Sequence, residues 1–153
     1  MKRLLLFAMA IIFAMQLSAQ TRVVVGDSTT STTTPYVPMY MNYENNFSES
    51  LYPADLLMPG EISSITYYVA SNPNTEGTMK IYMKEVSESE PTSFLPTDGF
   101  VEVYSGAVTL PQGTGCVMIN LTTPFTYSGG ANLAVIVVRD GDKLKAIDFV
   151  DAF

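Results

Sequence analysis

The sequence predicts an all-β fold, two antiparallel sheets packed face to face as a sandwich, and three observations predict it. Helical periodicity is missing beyond about residue 20. Short alternating apolar and polar segments recur about every ten to fifteen residues, separated by Gly, Pro, Asn, Asp and Ser, which is the spacing a sandwich or barrel produces. One run, Leu133-Ala134-Val135-Ile136-Val137-Val138, is apolar throughout, as expected of a strand in the middle of a sheet and covered on both faces.

In chain order the first element is a leader. Met1-Lys2-Arg3 supplies a basic start, residues 4–15 carry no charge, and the polar Gln16, Ser18 and Gln20 follow. The apolar run is shorter than the roughly 20 residues a spanning helix requires. The expectation is a signal peptide over 1–19, cut between Ala19 and Gln20, then a single domain over 20–153 with no transmembrane segment after cleavage. Leu17 is bulkier than the small-x-small pattern prefers, and no cysteine near the cut offers a lipid attachment point.

Strands are expected at 22–25 and 36–41, with the all-Ser/Thr stretch 28–34 between them as an edge strand or linker. After the Pro59-Gly60 turn, residues 62–69 enter the core with Ile65, Tyr67 and Val69 on the side of Ser63. In the next strand Met79, Ile81 and Met83 point inward while Lys80 and Lys84 meet water. Residues 87–96, with Glu88, Glu90, Pro91 and Pro96, form the longest irregular loop and belong on the surface. Further strands are expected at 101–104 continuing through 108–110, at 117–121 with Val117, Ile119 and Leu121 on one face, at 133–138 and at 146–150. That makes about eight or nine strands, more than a flat sheet carries before it folds into two layers. Asn72-Pro73-Asn74, Asp98-Gly99, Gly113-Thr114-Gly115, Ser128-Gly129-Gly130 and Asp140-Gly141-Asp142 supply the turns.

Charge and composition exclude whole classes of function. The net charge is −7, and loss of Lys2 and Arg3 with the leader leaves six bases against fifteen acids, or −9. Such a surface repels phosphate backbones, so nucleic acid is not expected as a partner. The chain has no histidine, so Ser-His-Asp and Cys-His catalysis and His-ligated zinc cannot be built from it. Paired carboxylates, the requirement for glycoside hydrolysis, survive formally, but the acids sit in turns or beside lysines, as Glu85 does beside Lys84. Cys116 is the one cysteine. It allows no intrachain disulfide, and its place in Cys116-Val117-Met118-Ile119 reads as a small buried hydrophobe.

Two residue clusters could bind something. Asp140 and Asp142, with Asp148 and Asp151 downstream, offer hard oxygen ligands for calcium, the one cofactor the sequence admits. Asp-Gly is also the ordinary choice for a hairpin turn, which is the favoured reading. Tyr36, Tyr40, Tyr43, Phe47 and Tyr52 crowd one stretch, where aromatic rings could stack on sugars, fill a protein interface or simply pack the core.

Several stretches, taken in order, resemble a known family. They are Val25-Gly26 with the Thr-rich lead into Pro35-Tyr36-Val37-Pro38, then Ser50-Leu51-Tyr52 with Leu56, and Gly60-Glu61-Ile62-Ser63-Ser64-Ile65. They continue with Met79-Lys80-Ile81-Tyr82-Met83, Val103-Tyr104-Ser105-Gly106, Thr123-Pro124-Phe125-Thr126-Tyr127 and Asn132-Leu133. Together they resemble a β-sandwich module of secreted, adhesin-like surface proteins of the Bacteroidetes, with a jelly-roll-like or immunoglobulin/fibronectin-like topology. The resemblance implies a secreted or cell-surface module, often placed ahead of fibronectin-type-III-like domains and a type IX sorting tail. It also implies Ser28, in Asp27-Ser28-Thr29, as an O-glycosylation acceptor. The chain departs from the pattern in having no Trp in the stretch Gly115-Cys116-Val117-Met118-Ile119-Asn120-Leu121 and in stopping at Phe153. The expectation is a truncated or reduced domain with an open sheet edge that invites pairing with another chain.

The functional expectation is a non-enzymatic adhesion or interaction module, exported to the periplasm, cell surface or medium, that binds a surface protein or glycan. The alternative is a carbohydrate-binding accessory module of a surface glycan-degrading system.

Overall fold

The computed structural model describes residues 20–25, 38, 45–69, 76–90 and 93–139. These build six strands: β1 (Asn46–Tyr52), β2 (Gly60–Val69), β3 (Glu76–Val86), β4 (Val101–Thr109), β5 (Gly115–Tyr127) and β6 (Asn132–Arg139). A single 3-10 turn, Ala54–Leu56, links β1 to β2. All ladders are antiparallel and fall into two sheets that pack against each other, one ordered β1-β6-β3-β4 and the other β2-β5. The protein is an all-β sandwich, as the alternation predicts. No described helix is long and apolar enough to cross a membrane.

The pleat sets the core. Met79, Ile81 and Met83 of β3, Leu133, Val135 and Val137 of β6, and Val103 and Val108 of β4 face Ile119, Leu121 and Tyr127 of β5. Each fully buried aliphatic side chain removed from water contributes about 1.5–3 kcal/mol, so this layer is the main source of stability in a chain that can form no disulfide. Ile62, Ile65 and Tyr67 complete the β2 contribution from its half-buried face.

β6 lies between β1 and β3, and Ala134, Ile136 and Val138 on its outer face are buried as fully as the core-facing set. The connection from β3 to β4 accounts for this. It turns back over the outer face of the large sheet: Phe94 meets Phe47 edge-on at 4.8 Å, and the Leu95 N–H donates to Glu49 at 3.0 Å. Phe47 and Glu49 are the register partners of Val138 and Ile136. At the other end of the strap, Lys84 donates to the Asp98 carbonyl at 2.8 Å and lies over the Phe100 ring.

Asn132 fastens the end of the sandwich. Its side chain accepts from the Ala54 N–H at 2.9 Å and donates to the Glu88 carbonyl at 2.7 Å, tying the β1–β2 and β3–β4 connections to the start of β6.

Three expectations are corrected. Residues 22–25 form no strand among the described residues, because nothing pairs with their backbone. Cys116 is exposed, not buried: once Val117, Ile119 and Leu121 face inward, the pleat turns Cys116 outward. Ser63 does not share a simple face with Ile65, because the register shifts between Ile62 and Ser64, and this bulge brings Ile62 to the core as well. Residues 46–52, to which the sequence reading assigns no element, form β1. The expected strands at 36–41, apart from Pro38, and at 146–150, and the turns at Asn72-Pro73-Asn74 and Asp140-Gly141-Asp142, lie outside the described residues.

Candidate functional site

Two strands facing four leave the small sheet with an outer face of its own. In β5 the inward set Val117, Ile119 and Leu121 forces Cys116, Met118 and Asn120 outward, and in β2 the same rule turns out Thr66 and Tyr68. The register sets Tyr68 opposite Cys116, Thr66 opposite Met118 and Ser64 opposite Asn120. Met118 is 63% exposed and Tyr68 47%, large apolar groups that the core does not use.

The segment after the expected cleavage point joins this face. Arg22 Nη2 donates to the Tyr68 hydroxyl, and Val23, Val24 and Val25 stand exposed beyond it, Val24 at 56%. A guanidinium bonded to a phenol holds the arm at one point only, and an exposed hydrogen bond of this kind contributes about 1 kcal/mol.

A cleft of about 310 Å³ opens where β4 and β5 diverge. Thr122 Oγ1 donates to the Val103 carbonyl at 3.1 Å and pins the two strands together at one level. Beyond that pin the cleft is lined by Tyr104, Ala107 and Val108 of β4 and by Val117, Met118 and Ile119 of β5. Tyr104 folds over Gly106 to donate to the Ala107 carbonyl at 2.7 Å, which holds its ring against the wall. None of the lining side chains carries a charge at neutral pH. Such a surface can bury apolar groups and satisfy extended backbone. It offers no base, acid or nucleophile to a substrate.

The aromatic residues read from the sequence are distributed differently. Phe47 and Tyr52 both lie on β1, but five residues apart they face opposite sides of the sheet. Phe47 goes under the strap against Phe94, and Tyr52 packs against the core. Burial pushes the Tyr52 phenol above its ordinary value, an effect partly offset by a hydrogen bond with Ser50. Burial, and then the neighbouring Tyr52, push Tyr67 up further. Tyr36, Tyr40, Tyr43, Ser28, Ala19, Asp140 and Asp142 lie outside the described residues, while Gln20 is exposed at the start of the arm. Among the described residues no three His, Cys, Asp or Glu side chains gather as metal ligands would.

Sequence reasoning passed over Tyr68, Met118 and Tyr104. The signal for the first two was present, since each occupies an outward position of a strand whose inward positions were already assigned. Compared with known protein families, curated proteins and solved structures, the chain finds no match.

Proposed function

We propose that this chain is an exported, non-enzymatic interaction module of the adhesin-like type, acting at the cell surface, in the periplasm or in the medium. It engages a surface protein through the outer face of the β2–β5 sheet. The observation that carries this reading is the placement of Tyr68 and Met118 at diagonal positions on neighbouring strands, both exposed and neither needed by the core. Exposed aromatic and methionine side chains are the residue types enriched at protein interfaces. Their setting among Thr66, Ser64 and Asn120 gives a small apolar centre with a hydrogen-bonding rim.

A second reading, binding of glycan, draws support from the same Tyr68 ring, since an exposed tyrosine face stacks on a sugar ring. One experiment separates them. The protein purified after export is screened against a panel of cell-surface proteins and a glycan array, together with Tyr68→Ala and Met118→Ser. Protein binding weakened at least about tenfold, or about 1.4 kcal/mol, by either change supports the first reading. Glycan binding lost with Tyr68→Ala alone supports the second. Binding untouched by both changes overturns this surface as the site. N-terminal sequencing of the exported protein tests the leader, with Gln20 as the expected first residue.

A further inference from the structure

The arm at residues 20–25 and the cleft between β4 and β5 both present, among the described residues, backbone edges with no ladder partner. Arg22-Val23-Val24-Val25 has the β-branched composition of a strand, yet none of it is in a ladder and all three valines are exposed. The cleft is bounded by two edge strands: among the described residues β4 pairs only with β3, and β5 only with β2. The β4 wall runs over Tyr104–Thr109, six residues, and the arm Gln20–Val25 is also six, each about 17–20 Å when extended.

We propose that the arm of one copy enters the cleft of a second copy as an added strand, so that the module self-associates by strand donation. An extended arm puts Val23 and Val25 on one face, where they meet the buried floor of Val108 and Ile119. Val24, on the other face, lies toward the rim. The added backbone satisfies N–H and C=O groups that β4 and β5 leave outside their ladders.

Charge agrees with this occupant. The arm carries Arg22 and no acid in a chain of net charge −7, and the cleft lining carries no charge of either sign, so the cationic arm meets no like charge there. Leaving its resting place costs one exposed hydrogen bond to Tyr68. The cleft shares Met118 and Asn120 with the outer face of the small sheet, and the arm rests on Tyr68, so the test relies on Val23 and Ala107, which lie outside that face.

The test is sedimentation velocity on the protein purified after export, over a concentration series, with two variants. Val23→Asp spoils the arm and leaves the cleft intact, whereas Ala107→Glu spoils the cleft and leaves the arm. The expected result is association of the native chain that rises with concentration, weakened at least about tenfold in each variant alone, about 1.4 kcal/mol. Mixing the two variants should restore association as heterodimers, since one contributes a sound arm and the other a sound cleft. A peptide with the sequence Gln20-Thr21-Arg22-Val23-Val24-Val25 in excess should dissociate the native assembly and bind the Val23→Asp protein. A native chain that stays monomeric throughout, variants that associate as the native chain does, or a mixture that stays monomeric would each overturn the proposal. Partner binding by Tyr68 and Met118 is measured separately on the same variants, which distinguishes failure of self-association from failure of the outer-face reading.

Discussion

Glu85, near the end of β3, takes both hydrogen-bond donors of Ser128 in the turn between β5 and β6. Oε1 accepts from the Ser128 N–H at 2.8 Å and Oε2 from its hydroxyl. β3 belongs to the large sheet and β5 to the small one, so this one carboxylate spans the two layers at the end of the sandwich. Glu85→Ala removes both acceptors, and at about 0.5–1.5 kcal/mol for each hydrogen bond the expected loss is about 1–2 kcal/mol, discounted for partial exposure. Glu85→Gln keeps one acceptor and should lose less. Urea denaturation of the two variants checks the order, and equal losses would show that the carboxylate geometry is not what holds the turn.

The same turn rests on Pro59. Gly129 has φ +83°, and a Cβ built there would stand 2.9 Å from the Pro59 ring. Gly113 shares the conformation, φ +79°, but a Cβ there would meet nothing. Substitution by alanine should therefore separate the two costs. Gly113→Ala is expected to cost about 1 kcal/mol for backbone conformation alone. Gly129→Ala should cost about 1–3 kcal/mol more, because Pro59 has to move. The double variant Gly129→Ala with Pro59→Ala should recover part of the difference in thermal denaturation.

Much of this architecture is legible in the sequence, and the parts that are not share a cause. β3, β5 and β6 announce themselves because their inward residues are apolar and their outward residues are polar or, in β6, apolar as well. β1 inverts the rule. Its core-side positions are Asn46, Ser48, Ser50 and Tyr52, and its apolar Phe47 and Leu51 point outward to the face the strap crosses. Ser48 is tolerated inside because its hydroxyl donates to the Pro38 carbonyl. Residues 22–25 show the opposite failure. Composition favours a strand, but a strand exists only where another backbone accepts it. The candidate surface is harder to read, because exposure of Tyr68 and Met118 depends on the small sheet having two strands among the described residues.

The strap makes a prediction that alternation alone would not. Ile136 is on the outer face of the large sheet but only 2% exposed, beneath a connection held by Phe94 and Leu95. Ile136→Ala should cost about 2–4 kcal/mol, the range of a core aliphatic truncation. Phe94→Ala, which removes the edge-on contact with Phe47 from a ring that is 60% exposed, should cost about 0.5–1.5 kcal/mol. It should also raise binding of an apolar dye as the face beneath opens. An Ile136→Ala loss below that of Phe94→Ala would mean that the strap does not seal this face.

Alkaline pH should find three phenols. Tyr127 lies in the core and Tyr67 and Tyr52 pack against it, and burial raises all three above the ordinary value of 10.0. Their neutral forms are thus favoured in the folded chain, whereas in the unfolded chain they ionise near pH 10 like any tyrosine. Below that point both states hold the protons and stability is level. Above it the unfolded chain releases them first, so the unfolding free energy falls as pH rises, by at most about 1.4 kcal/mol per pH unit for each tyrosine. Tyr67→Phe removes one of these ionisations and should make the slope above about pH 10 shallower in denaturant titrations. Tyr52→Phe should make it shallower as well, by removing its own ionisation and by lessening the shift at Tyr67. A slope unchanged in both variants would place the alkaline sensitivity elsewhere in the chain and remove these phenols from the account of its stability.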